Sequence, residues 1–536
     1  MKFRAMLLIF AVLAGTLRAQ TPAAKPGSVE GTVTNSVTGE PVKKAVVTLT
    51  DPKSQSNRTA ITDAAGRFQF DSVAPNAYFL AADRDGFMAP RQGPRQAAQQ
   101  ITVAEEQHVQ DVAIKLLPLG VVTGHVLDDD GEPIIRAGVA VLRYFYNSGR
   151  KQLSAVEIAQ SNDLGEFEAI DLQPGRYYFQ ATAAPIRSIP PHTRWSHPEE
   201  AYPPTFYPNG SEAGQATATE VAPGAHVTNI DFRLRKMPAY HIRGTVEGGQ
   251  RALPGTLQLQ AVGTGVRSGG PRIAYASDGT FDIGGIVSGA YDLTIPHPQN
   301  GLPFGHQTVT VADADVNNVV LTLALGSPIS GRVTVDGALI DKGGMQIALE
   351  QLQRFTAVSA SWATDGSFTF PAMAPDVYQL SLSNPPSGKY VKSIRLGDQE
   401  IKNRIDLSSG SAAPLNIVLG TDGAEMDGNV QNASGQPAAI TQVTLAPEGE
   451  SDGRSDLFKR AFTDASGNFR IKDVAPGAYK VFAWESDPDG STQSAEFRKP
   501  FEERSVAVTI GPKDKASVQL SVITADDVEK ESSKLP

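Results

Sequence analysis

The chain has 536 residues, no cysteine, and a formal net charge of −10 from 48 basic and 58 acidic side chains. The missing cysteines exclude a disulfide framework, a thiol nucleophile and Cys-ligated zinc. The acidic balance argues against a nucleic-acid partner, which clustered Lys and Arg would serve. Glycine (50) and proline (37) together make about 16 % of the chain, above the usual share of about 12 %, and this excess predicts many turns.

Lys2 and Arg4 precede an apolar run from Met6 to Ala14, and Ala19 offers a cleavage point before Gln20. This order predicts a secretory signal peptide over residues 1–19, followed by a loose linker over 20–26. The run is too short to span a bilayer, which takes about 20 apolar residues, and no later stretch reaches that length. The expected address is therefore export: periplasm, cell surface or medium.

Beyond the linker one pattern recurs five times. A Gly-x-Val opens each copy, at Gly31, Gly124, Gly244, Gly331 and Gly428. A Gly-x-Phe preceded by Asp follows, at Gly66-x-Phe68, Gly165-x-Phe167, Gly279-x-Phe281, Gly366-x-Phe368 and Gly467-x-Phe469. A Tyr stands 12 residues after each of these second glycines, at Tyr78, Tyr177, Tyr291, Tyr378 and Tyr479. The first glycines lie 93, 120, 87 and 97 residues apart, a normal single-domain spacing.

Within a copy, short β-branched or aromatic runs alternate with turn residues. Gly39-Glu40-Pro41, Gly131-Glu132-Pro133 and Gly435-Gln436-Pro437 mark one turn, and the Asp-containing clusters mark another. In the latter the Asp is expected to cap nearby amides while Gly takes the left-handed position. No window shows a helical stripe of adequate length. The pattern predicts an all-β chain: a tandem array of five antiparallel β-sandwiches at 27–117, 118–236, 237–325, 326–420 and 421–523, then a polar tail at 524–536. The recurring Phe and Tyr are expected in the cores.

Val29-x-Gly31-x-Val33, Gly39-x-Pro41, Thr62-Asp63-x-x-Gly66-x-Phe68, Pro75-x-x-Tyr78 and Gly86-Phe87 together resemble the carboxypeptidase regulatory-like domain. The fifth copy is similarly close, the second carries an insertion, and the third and fourth lack the Gly-x-Pro turn. The resemblance implies a transthyretin-like, seven-stranded sandwich, grouped with carbohydrate-binding-like folds. It brings no catalytic residues, since the shared positions are turns and core.

Three places in the sequence offer candidate chemistry. His197-x-x-Glu200 with His297 has the formal spacing of a zinc site, but its ligands sit among prolines rather than on rigid elements. The acidic turn Asp128–Glu132, with Asp487–Gly490 as a weaker second, could hold calcium, yet Asp and Gly are also what turns require. No metal, cofactor or catalytic set is assigned. The insertion 189–210 concentrates Trp195, Tyr202, Phe206 and Tyr207 among prolines. These four rings are the expected ligand-binding residues, stacking on a sugar or an envelope protein; the alternative is a loop that packs its rings onto its own sandwich. The expected function is non-enzymatic binding or display, with a structural spacer or adhesive stalk, then a metallocarboxypeptidase or its accessory, as alternatives.

Overall fold

The computed structural model describes residues 25–532 except 90, 93–94, 97–98, 148–149, 184–199, 249–255, 263–265, 268–271, 275, 296–304, 324–325, 336–337, 341–344, 352–356, 364, 374, 409–412, 450–453 and 486. The signal peptide predicted at 1–19 lies outside the described residues. The chain is all-β, with a few short helical turns, one at Ala213–Gln215 and the others toward its C-terminal end.

In the first sandwich, Gly27–Asn35 lies between Arg67–Val73 and His108–Pro118. The facing sheet runs Asn57–Ile61, Val46–Thr50, Asn76–Asp83, Gln99–Val103. The fifth sandwich repeats the arrangement. Ala424–Gln431 sits between Asn468–Val474 and Lys515–Ile523, opposite Lys459–Phe462, Gln442–Pro447, Gly477–Trp484 and Val506–Ile510. The second, third and fourth follow the same order around Gly120–Asp128, Tyr240–Glu247 and Ser327–Val335.

The antiparallel expectation needs one correction. In all five sandwiches the opening and closing strands pair parallel, as Val33 with Ile114 and Val430 with Leu520 do. The long crossover through the second sheet makes this possible, because parallel partners cannot be joined by a tight hairpin.

Register explains why the two glycine motifs recur together. Gly31 pairs with Phe68, Gly124 with Phe167, Gly244 with Phe281, Gly331 with Phe368 and Gly428 with Phe469. The second glycines, Gly66, Gly165, Gly279, Gly366 and Gly467, all have φ between 70° and 88°. Asp63 and Asp464 accept two backbone amides each through Oδ1, at 2.8–2.9 Å. In the second copy Asn162, not the predicted Asp163, performs this task, accepting from Leu164 and Glu166. In the third and fourth copies Asp278 and Asp365 stand directly before Gly and bind the next residue's amide and hydroxyl.

Each sandwich is filled by its own cluster of buried apolar side chains. The recurring Phe and Tyr belong to these clusters. The Tyr hydroxyls stay satisfied there: Tyr78, Tyr177, Tyr291 and Tyr479 each donate to the carbonyl four residues earlier, at 2.6–2.9 Å. A buried aromatic ring with a paired hydroxyl contributes its full apolar area without a desolvation cost.

Two units partition the structure: residues up to 118 apart from 92–94, and residues from 119 onward. Within the second unit, sandwiches touch their sequence neighbours and, in one case, a more distant sandwich. Leu153 pairs with Val266 across the second and third. Arg454 of the fifth donates to the Val391 carbonyl of the fourth at 3.0 Å. Tyr146 of the second meets Phe497, on a short helical excursion of the fifth, at a ring separation of 5.9 Å. The predicted polar tail is partly helix, Ala525–Ser532, and it buries Val528 beside Trp484.

Candidate functional site

The aromatic insertion of the second sandwich was the sequence's best site candidate. Trp195 lies outside the described residues. From Glu200 onward the segment lies against the sandwich and covers it.

Thr205–Phe206 adds to the edge of Gly175–Thr182, with Phe206 opposite Gln180. Phe206 is fully buried, packed with Leu142 and Leu153 on the sheet face that looks away from the main core. That patch of the sheet is thereby buried on both faces. Phe206 is thus a correction to the predicted binding surface: its ring has no free face, because covering Leu142 and Leu153 removes more apolar surface from water than exposure would allow. Tyr207 is half-buried and turns inward, edge-on to Phe232 at 6.0 Å. Its amide donates to the Phe179 carbonyl at 2.9 Å, and the Tyr207–Pro208 peptide is cis. Tyr202 is half-buried against the same core and its hydroxyl reaches Asp128 Oδ2 at 3.5 Å.

Tyr202 leads to the acidic turn. Asp128 is 5 % exposed. Its Oδ1 accepts from the amides of Asp130 and Glu132, at 3.0 and 2.9 Å. Its Oδ2 is 2.9 Å from Lys236 Nζ, which also lies 3.5 Å from Asp130. The hydrogen bond from Lys236 holds the Asp128 carboxyl below its usual range, and the same bond raises Lys236. Burial pushes the Tyr202 hydroxyl up. Asp128, Asp129 and Asp130 are close enough to share an ion, but an ammonium already occupies the buried carboxylate. The arrangement fastens Lys236, just before the third sandwich, to the second.

The weaker acidic candidate is also internally engaged. Asp487 accepts from Gln442 at 2.8 Å and from the Thr492 hydroxyl at 3.0 Å. His197 and His297 lie outside the described residues. The sequence missed Lys236, whose only signal was the basic run Arg233–Lys236 at the end of the closing strand.

Residues 28–116 match the carboxypeptidase regulatory-like domain. A TonB-dependent transporter, Oar of Myxococcus xanthus, is 32 % identical over 76 residues, which is 14 % of this chain and 7 % of that protein. The Bacillus anthracis TIE protein aligns over 56 % of this chain and 51 % of its own, at 12 % identity and a TM-score of 0.18. BcpA, the major pilin subunit of Bacillus cereus, aligns over 75 % of this chain and 99 % of its own, at 12 % identity and a TM-score of 0.13. The chain thus spans a small fraction of the curated relative and about half of the TIE structure. Residues 28–116 are a carboxypeptidase regulatory-like domain, and the strand order of that domain recurs in the four sandwiches that follow it.

Proposed function

We propose that this is an exported, non-enzymatic binding and display protein of the cell envelope, made of sandwich modules at 27–117, 118–236, 237–325, 326–420 and 421–523 behind a signal peptide at 1–19. The observation that carries this reading is the use made of the recurring residues. Every one of them serves a turn or a core, so the repeated unit is a scaffold rather than a reaction site. Specificity then falls to what differs between copies, above all the insertion of the second sandwich.

In this reading the insertion presents Trp195 and Tyr202 to a carbohydrate, while Phe206 and Tyr207 anchor it. Ring stacking on sugars needs an exposed aromatic face held on a stiff support, and the strand pairing at Thr205–Phe206 supplies the support. A glycan array probed with the full chain tests this. Binding that falls with Trp195→Ala and Tyr202→Ala supports it; no binding, or binding indifferent to both, overturns the site.

The spacer or stalk reading draws on the tandem organisation. It fares less well within residues 119–532, because Tyr146 and Phe497 join the second and fifth sandwiches, whereas an end-to-end array touches only its neighbours.

A further inference from the structure

The outer face of the fifth sandwich carries a groove that the turn-and-core pattern does not account for. The central strand Ala424–Gln431 turns Asp427, Asn429 and Gln431 toward it. Asn429 pairs in register with Asn468 on one side and with Gln519 on the other. Asp427 likewise stands between Arg470 and Ser517. Two polar rows therefore cross three strands. The groove over them measures about 940 Å³, and Phe462, 37 % exposed, stands on its rim.

The amides orient one another. Asn429 Nδ2 donates to Asn468 Oδ1 at 3.2 Å, and Gln519 Nε2 donates to Gln431 Oε1 at 3.1 Å. Asn429 Nδ2 gives its other hydrogen to the Ser466 carbonyl at 3.2 Å, so the row offers a ligand the amide hydrogens of Asn468 and Gln431 and the carbonyl lone pairs, each such side chain having two donors and two acceptor sites. Asp427 and Arg470, although opposed in register, form no ion pair among the described residues.

The lining selects a class of ligand. An anion needs an excess of cationic groups, and here Arg470 faces Asp427 and Asp464. A hard cation needs several free carboxylates, and Asp464 is already engaged by the amides of Ser466 and Asn468. A peptide adding as a strand needs a free backbone edge; on this sheet that edge is the far side of Asn468–Val474, beside the groove rather than over the two polar rows of its central strand, which is paired on both sides. A neutral, extended polyol fits. Its hydroxyls are donors and acceptors at once, as the amides are, and an apolar ring face can lie on Phe462.

We infer that this face binds a neutral oligosaccharide, with Asn429, Asn468, Gln431 and Gln519 reading its hydroxyls and Phe462 stacking on a sugar ring. The inference is independent of the insertion at 189–210, because it rests on another sandwich and other residues.

Calorimetric titration of the full chain with maltohexaose, cellohexaose, laminarihexaose and mannohexaose is the test, with the acidic hexamer of galacturonic acid as comparator. At least one neutral hexasaccharide is expected to bind. Its affinity should fall about tenfold or more in Asn429→Ala/Gln519→Ala, a loss equal to about 1.4 kcal/mol. Phe462→Ala should weaken it as well, and the same losses should be read in a Trp195→Ala/Tyr202→Ala background, which removes the insertion's own proposed site. Gln519, Phe462 and Arg470 are exposed, so Gln519→Ala, Phe462→Ala and Arg470→Gln should keep the parent thermal midpoint and separate lost binding from the loss of Asn429's bond to the Ser466 carbonyl. No binding by any neutral probe at millimolar concentration overturns the inference. So does tighter binding of the acidic hexamer, or binding insensitive to the fifth-sandwich variants. Loss only with Trp195→Ala/Tyr202→Ala overturns the groove and assigns the binding to the insertion.

Discussion

The Phe68 ring stands over Gly31, its cross-strand partner, so closely that a Cβ on Gly31 would lie 2.8 Å from the ring tip. It would also clash with the Val112 carbonyl oxygen of the parallel neighbour. The same collision recurs at Gly244 under Phe281, Gly331 under Phe368 and Gly428 under Phe469.

Gly31→Ala should therefore destabilise the first sandwich by about 2–4 kcal/mol, since backbone rather than a flexible side chain must move. Urea denaturation of the full chain should show one early transition attributable to residues up to 118. A midpoint equal to that of the parent protein would mean that the strands yield without cost.

The buried tyrosines predict a different signature. Tyr479→Phe removes the hydrogen bond to the Ala475 carbonyl and should cost about 1–2 kcal/mol, because that carbonyl is left in a buried setting. Burial also raises the Tyr291 hydroxyl to about 12. A group held neutral in the fold contributes stability that is complete below its unfolded pKa of about 10. That stability is lost as pH rises from about 10 toward 12. Alkaline denaturation should thus begin in this window, and Tyr291→Phe should flatten that limb.

How much of this was legible beforehand depends on the kind of signal. The all-β class, the turns and the buried Phe and Tyr were readable because turn chemistry and alternation are local. The parallel pairing of Val33 with Ile114 was not, since it is set by a crossover of about eighty residues. Asn162 was overlooked because Asp163 beside it made the more familiar pattern. Phe206 read as a binding ring because sequence cannot show Leu142 and Leu153 presenting an apolar outer face to be covered. The fifth-sandwich groove was illegible for the same reason: Asn429, Asn468 and Gln519 are far apart in sequence and adjacent only by register.

Arg454 joins the fifth sandwich to the fourth through the Val391 carbonyl while Asp456, two residues along its own chain, holds its guanidinium. Its guanidinium binds the buried Asp456 at 2.6 Å and the Val391 carbonyl at 3.0 Å. Arg454→Met should cost about 3–5 kcal/mol, because Asp456 is left charged and buried. Arg454→Lys should not rescue it, as an ammonium cannot reproduce the fork. Limited trypsin digestion should cut faster between the two sandwiches; an unchanged pattern would mean that other contacts hold the joint.

The contact between the second and fifth sandwiches can be tested by a double-mutant cycle. Phe497 also packs on Trp484 and Phe501, so Phe497→Ala alone should cost about 3–5 kcal/mol. Only the coupling with Tyr146→Ala reports the contact between sandwiches, and it should be about 0.5–1.5 kcal/mol. Zero coupling would show that the two rings do not meet in solution.

The Lys236–Asp128 pair predicts behaviour in acid and toward calcium together. Asp128 is held below its usual range chiefly by the Lys236 hydrogen bond. A carboxylate lowered in the fold contributes stability that is present above its unfolded pKa of about 3.9 and lost as pH falls through the lowered value. Lys236→Met should shrink that acid limb and leave stability near neutrality to the remaining Asp128 hydrogen bonds. It also removes the ammonium from a carboxylate that Asp129 and Asp130 adjoin. Millimolar calcium should then raise the melting temperature of Lys236→Met while leaving that of the parent protein unchanged. A calcium response in the parent protein would mean that the ion displaces Lys236, and the fastening of the second sandwich to the third would need another account.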